Sequence, residues 1–239
     1  MSELLLIGGS GGSGTRAVVR FLQQLGCYAG SELNESLDSM PVARLLDIWV
    51  DRWLGRKADQ VSELVAEFSE AYAQALGDHL VGCNSAICVV KNPRAMLLLD
   101  LLYAVRPDIK FLHLVRNGAS MAFSSNQRQF ELHGHFWPQL AGSREQAVLE
   151  FWAATNMAAS DIGRQHPGQY AWLQYEAFCT SPLSQVRQVC EQLRLDLDWS
   201  RADESLVSAS GREQQQHDAM NRLELESVRP ALQRYGYPC

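Results

Sequence analysis

The chain is most informative first in what it lacks. No apolar run is long enough to span a bilayer, and no basic segment precedes the first apolar stretch at Leu4. Neither a membrane span nor a signal peptide is therefore expected. Its six cysteines, at 27, 83, 88, 179, 190 and 239, contain no CxxC pair. They lie among predicted helices and strands, so reduced thiols in a cytoplasmic compartment are expected, with no disulfide framework. Positive charge is scarce: 21 Lys and Arg against 27 Asp and Glu leave a net charge of −6. That balance excludes generic nucleic-acid binding, and any anionic ligand must find a local cluster of Arg or Lys. Repeats, low-complexity tracts and linkers are missing too, which leaves one domain over residues 1–239. At 46% hydrophobic and 20% charged, the chain can bury a core without metal or disulfide support.

What is present is alternation. The apolar run Leu4-Leu5-Leu6-Ile7 ends at the glycine-rich segment Gly8 to Gly14, after which Ala17, Val18, Phe21, Leu22 and Leu25 recur at helical spacing. Residues 41–76 predict two helices broken near Gly55-Arg56-Lys57, with Trp49 and Trp53 on one core face. A second strand, Ile87 to Val90, leads through Lys91 to a helix that Asn92 caps and Pro93 opens. A third, Phe111 to Val115, ends at Arg116 and predicts a helix running through Gln129. Helices over 145–164 and 182–193, a strand over 170–174 and a last helix around 220–235 complete the pattern. Residues 130–142 and 200–216 show no period and are expected as loops. Such alternation predicts an α/β fold, a central parallel sheet flanked by helices, with its ligand crevice beyond the carboxyl ends of the strands.

The segment Gly9 to Arg16 joins a buried strand to a helix start, where free backbone N–H groups and small residues can cradle a phosphate. A nucleotide triphosphatase loop would carry Gly-Lys-Ser/Thr, whereas Gly14 is followed here by Thr15-Arg16. Arg116 at a strand end, with Ser120, Ser124 and Arg128 at helical spacing after it, would form a clamp for a dianionic phosphate.

The segment Gly12-Ser13-Gly14-Thr15-Arg16 resembles the Ser-Gly-Thr-Thr phosphosulfate loop of sulfotransferases that use 3′-phosphoadenosine 5′-phosphosulfate (PAPS). Val90-Lys91-Asn92-Pro93-Arg94 is similar to that family's Lys-x-Pro segment. Phe111 to Gly118 is similar to the strand ending in its 3′-phosphate arginine, with Ser124 at the family's serine position. Arg128 stands where the tyrosylprotein branch has a second arginine, and Leu173 to Phe178 resembles the Tyr-Glu-x-Leu segment. The resemblance implies a P-loop-like fold and sulfuryl transfer from PAPS, without a metal, to an acceptor hydroxyl or amine. It implies that Gly11, Gly12, Ser13, Gly14, Thr15 and Arg16 hold the donor with Arg116, Ser124, Arg128 and Tyr175, the last beside the adenine. Lys91 and Arg16 are the candidate catalytic cations for the charge of the transition state, and the resemblance implies Lys91 at the leaving oxygen. Arg16 departs from the pattern: relatives carry a basic residue where Gly12 stands and a second Thr where Arg16 stands.

For the general base, the tyrosylprotein branch uses a glutamate soon after the first helix, which makes Glu32 and then Glu35 the candidates, with Asp38 behind them. His133 and His135 lack a third metal ligand and read as loop residues, while Phe130, Phe136 and Trp137 are candidates for an acceptor pocket. The acceptor itself, whether small molecule, carbohydrate, lipid or peptide, is set by loops that carry no motif. Two other readings stand beside this one: a nucleotide-dependent kinase with a degenerate phosphate loop, and a nucleotide-binding protein without catalysis. The first would want a magnesium carboxylate at a strand end, and no Asp follows Val90 or Val115.

Overall fold

The structure, a computed structural model, describes residues 2–137, 142–207 and 223–238. Four strands, β1 (Glu3–Gly9), β2 (Ile87–Lys91), β3 (Lys110–Val115) and β4 (Tyr170–Gln174), form one parallel sheet in the order β2-β1-β3-β4. The strands are nearly all apolar because both faces are covered. Leu4 and Leu6 face one core with Val90 and Phe111, and Leu5 and Ile7 face the other with Val89, Leu112 and Leu114.

The first core is roofed by α2 (Met40–Leu54), α3 (Val61–His79) and α4 (Leu99–Val105). Trp49 packs edge-on against Phe68 at 5.1 Å, and the Trp53 indole donates to Asp100 at 2.8 Å, so both tryptophans are core residues as the spacing predicts. The second core is roofed by α1 (Thr15–Gln24) and α9 (Pro182–Gln192). A third cluster gathers α5 (Gly118–Ala122), α7 (Arg144–Gly163) and α10 (Arg229–Arg234) around Val115 and Trp152. Between these lie α6 (Arg128–His133) and α8 (Tyr175–Thr180).

β1 is followed in space by β2 on one side and β3 on the other, so a crevice opens where their carboxyl ends part. The register Ile7 to Lys91 and Gly9 to Leu114 brings the glycine loop, Lys91 and Arg116 to that one edge.

Four expectations need correction. Contrary to reduced thiols throughout, Cys83 and Cys88 are bonded to each other, the turn before β2 carrying Cys83 back onto the strand. The helix expected through Gln129 stops at Ala122 and restarts at Arg128. Its break is held by the Gln127 amide, which donates to the carbonyls of Met121 and Ser124, both at 2.8 Å. The segment expected as a loop from 130 carries the end of α6 and a single 3-10 turn, Gly134–Phe136. Among the described residues, the span expected as the last helix carries a 3-10 turn, Glu226–Val228, and then α10. The parts of those expectations on 138–141 and 208–222 lie outside the described residues.

Candidate active site

The glycine loop is an open cradle. Ser13 N–H donates to Ser10 O at 3.0 Å and Ala17 N–H to Gly14 O at 2.9 Å, which folds the chain into a tight turn before α1. The amides of Gly12, Gly14, Thr15 and Arg16 have no acceptor among the described residues, and the first turn of α1 has no side-chain cap. Such orphan donors at a helix start favour an anion. The Ser13 hydroxyl is fully buried and has no hydrogen-bond partner among the described residues, a costly state unless a ligand oxygen completes it. Gly14 has φ 96°, and a Cβ there would clash with the Tyr175 ring, so only glycine fits.

Residues that the motifs did not reveal hold this loop from behind. Gln129, buried on α6, accepts from Gly11 N–H at 2.7 Å and donates to Gly9 O at 3.2 Å. Asn156 on α7 donates to Ser10 Oγ at 3.1 Å and accepts from His113 Nε2 at 2.9 Å. His113 Nδ1 in turn accepts from the Tyr170 hydroxyl at 2.7 Å. Burial pushes the His113 pKa down to about 4, so this chain of side chains is neutral at pH 7. A buried polar residue inside an apolar strand was its only signal in the sequence.

On the β3 side, the Arg116 guanidinium lies 4.8 Å above the Tyr175 ring centroid and donates to Gly12 O at 3.3 Å. Ser124 faces Gly12 from across the cradle: a Cβ on Gly12 would stand 3.3 Å from its hydroxyl. Glu176 accepts from Asn117 N–H at 3.0 Å and from the Tyr237 hydroxyl at 2.7 Å, fixing the strand end from which Arg116 projects. Arg128 sits exposed at the start of α6, off the helix that carries Ser120. It therefore does not share a helix face with Ser124, which lies in the break. Tyr175 is buried under Gly14 and Arg116 and supports both.

On the β2 side, Lys91 is 3% exposed and donates to Asp38 Oδ1 at 2.7 Å and to Ser36 O at 2.9 Å. Burial lowers its pKa, Asp38 raises it again, and the nearby Arg16 charge lowers it. The segment carrying Asp38 is knotted by Asn34, whose Oδ1 accepts from the amides of Ser36 and Asp38, both at 2.9 Å, and whose amide donates to Asp38 Oδ2 at 3.0 Å. Leu37 takes a left-handed φ of 62° to complete the turn. Glu32 is exposed and paired with Arg44 on α2, and Glu35 is exposed.

The remaining candidates are spread around this centre. His133 is buried and donates from Nδ1 to Asp51 Oδ1 at 2.8 Å, a packing contact with α2. Phe130 and Trp137 both pack on Phe151, at 5.7 and 5.1 Å. Phe136 and Trp137 line a cavity of about 660 Å³ with Met157, Val228 and Pro230. That cavity includes no residue of the cradle and no group from the Lys91 side.

The chain matches the model of the sulfotransferase family over residues 5–201. No curated protein matches it. Among solved structures, it is similar to a sulfotransferase from Alicyclobacillus acidocaldarius at 16% identity and a TM-score of 0.58, covering 100% of this chain and 98% of that one. The sulfotransferase domain of the Synechococcus PCC 7002 olefin synthase gives 14% identity and a TM-score of 0.54, covering 100% and 96%. The sulfotransferase domain from the curacin biosynthetic pathway gives 13% and 0.53, covering 100% and 99%. At these identities the structures speak for the fold, while the family match spans most of the sequence. On that match, the chain belongs to the sulfotransferase family.

Proposed function

We propose that the protein moves a sulfuryl group from PAPS to an acceptor hydroxyl or amine. The observation that carries this reading is the cradle itself: orphan amides and the buried, unpartnered Ser13 hydroxyl, with Arg116 on one side and Lys91 on the other. Anionic oxygens fit such a donor set. The donor supplies an activated sulfuryl, and the amides of Gly12, Gly14, Thr15 and Arg16 would bind its phosphosulfate oxygens. Arg116 and Ser124 flank the cradle where a 3′-phosphate would be held.

For the base, the contact with Lys91 supports Asp38 ahead of Glu32 and Glu35. As the acceptor oxygen bonds to sulfur, the bridging S–O bond breaks and its electron pair leaves on the 5′-phosphate. Lys91, drawn from Asp38 toward that negative oxygen, stabilises it. Asp38 Oδ1, relieved of Lys91, takes the acceptor's proton. The Lys91 to Asp38 contact at 2.7 Å supports this coupling, and the outward ion pair of Glu32 does not.

Calorimetry tests the donor assignment. 3′-Phosphoadenosine 5′-phosphate should bind at least tenfold tighter than adenosine 5′-phosphate, and Arg116→Ala should abolish the difference. Equal affinities in the parent protein overturn the assignment.

A further inference from the structure

Both oxygens that hold Lys91 come from one short turn, and one side chain sets that turn. The Lys91 ammonium donates to Asp38 Oδ1 at 2.7 Å and to Ser36 O at 2.9 Å. Asn34 Oδ1 accepts from the backbone amides of these same two residues, Ser36 and Asp38, both at 2.9 Å. Asn34 Nδ2 donates to Asp38 Oδ2 at 3.0 Å. The main chain closes the same ring: Asn34 N–H donates to Asp38 O at 3.2 Å, and Leu37 N–H to Asn34 O at 2.9 Å. Ser39 N–H then donates to Lys91 O at 3.0 Å, which ties the end of the turn to β2 at the reacting edge. Asn34 is exposed, with water as the alternative partner, so three bonds from one side chain mark a set geometry.

The turn by itself does not require asparagine. An aspartate accepts the same two amides and suits such turns equally well. What an aspartate cannot do is donate to Asp38 Oδ2; it would set a second carboxylate against the first. The amide nitrogen of Asn34 therefore serves Asp38 and not the turn. Its bond occupies Oδ2 and leaves Oδ1 as the oxygen that meets Lys91.

We infer that Asn34 is a positioning residue for the reaction, which fixes the Asp38 carboxylate so that Oδ1 receives the acceptor's proton when Lys91 moves to the leaving oxygen. The inference rests on the reading of Asp38 as the base. At rest Oδ1 accepts from Lys91 and Oδ2 from Asn34. As Lys91 departs, Oδ1 loses its donor while Oδ2 keeps Asn34, so the carboxylate does not swing out of line. The proton passes from the acceptor oxygen to Oδ1 as that oxygen bonds to sulfur. The electron pair of the broken bridging bond goes to the 5′-phosphate, where Lys91 meets it.

The test is Asn34→Asp, which keeps both turn acceptors and replaces the donor to Oδ2 with a like charge. Transfer of labelled sulfuryl from PAPS at pH 7 is followed with water and with phenol as acceptors, phenol being un-ionised there as a tyrosine side chain is. In the variant kcat should fall about thirtyfold. KM for PAPS, affinity for 3′-phosphoadenosine 5′-phosphate and the unfolding temperature should stay at parental values. Parental kcat overturns the inference, and so does a loss that nucleotide affinity or unfolding temperature shares, because Asn34 would then serve the fold. The swapped double variant, Asn34→Asp with Asp38→Asn, restores the bond with donor and acceptor exchanged. Its kcat should match that of Asp38→Asn alone within about threefold, and a further thirtyfold loss would place the action of Asn34 elsewhere. Asp38→Asn at parental kcat, or a parent that transfers to neither acceptor, removes the underlying reading and the inference with it. A large loss in Asp38→Asn beside parental kcat in Asn34→Asp leaves the base standing and removes the inference alone.

Discussion

Lys91 and Asp38 form a half-hidden ion pair whose members depend on each other. Burial disfavours the Lys91 ammonium, and the adjacent carboxylate offsets part of that cost. Asp38→Asn removes the anion, so the Lys91 pKa falls further. The alkaline limb of the pH–rate profile should then move to lower pH, with turnover at pH 7 reduced about a hundredfold and product-nucleotide affinity kept. Glu32→Gln and Glu35→Gln should stay within about threefold of the parent. Turnover of labelled donor across pH 6 to 10 measures all three, and a large loss confined to Glu32→Gln would return the base to that residue. Lys91 could be named from the sequence because it ends an apolar strand. Ranking three acids within seven residues was beyond spacing alone, since the choice depends on how Asn34 and the left-handed Leu37 turn the loop over Lys91.

Among the elements, the loop and the pieces bracing it act as one unit. Gly14→Ala puts a Cβ into the Tyr175 ring at a φ that side chains avoid, and should lower stability by about 1–3 kcal/mol. Adding Tyr175→Ala should recover part of that loss by removing the clash, though not the strained φ. Thermal unfolding of the single and double variants checks this, and a double variant no better than the Gly14→Ala single would remove the ring from the argument. Gln129→Ala should weaken product-nucleotide binding about tenfold, because the Gly9 carbonyl and Gly11 amide lose the side chain that sets their spacing. Calorimetry reads that loss, and parental affinity would show that the loop holds its shape without Gln129. The strand-loop-helix unit was legible because apolar run, glycines and helical period follow one another in the chain. The brace was not, because Gln129 meets Gly9 across 120 residues, from a helix that restarts only after the break Gln127 holds.

The whole molecule carries a pH limit in its neutral buried histidines. Above pH 6.5 His113 is uncharged both folded and unfolded, and it contributes no slope. As pH falls below 6.5 the unfolded ring takes a proton while the buried ring resists until about 4, so stability drops by about 3 kcal/mol across that window and is level below it. His79 and His133, also lowered by burial, act in the same direction. Denaturant unfolding at pH 7 and pH 4.5 should show the loss, and His113→Asn should flatten part of the slope. An unchanged slope in that variant would assign the effect elsewhere. By itself the sequence determined the parallel α/β sheet, the glycine loop at a helix start and the basic residues at strand ends, because local period and chain order alone put those at one edge. Only the tertiary structure decided which acid meets Lys91 and what braces the loop, because each depends on side chains far apart in the chain meeting in space.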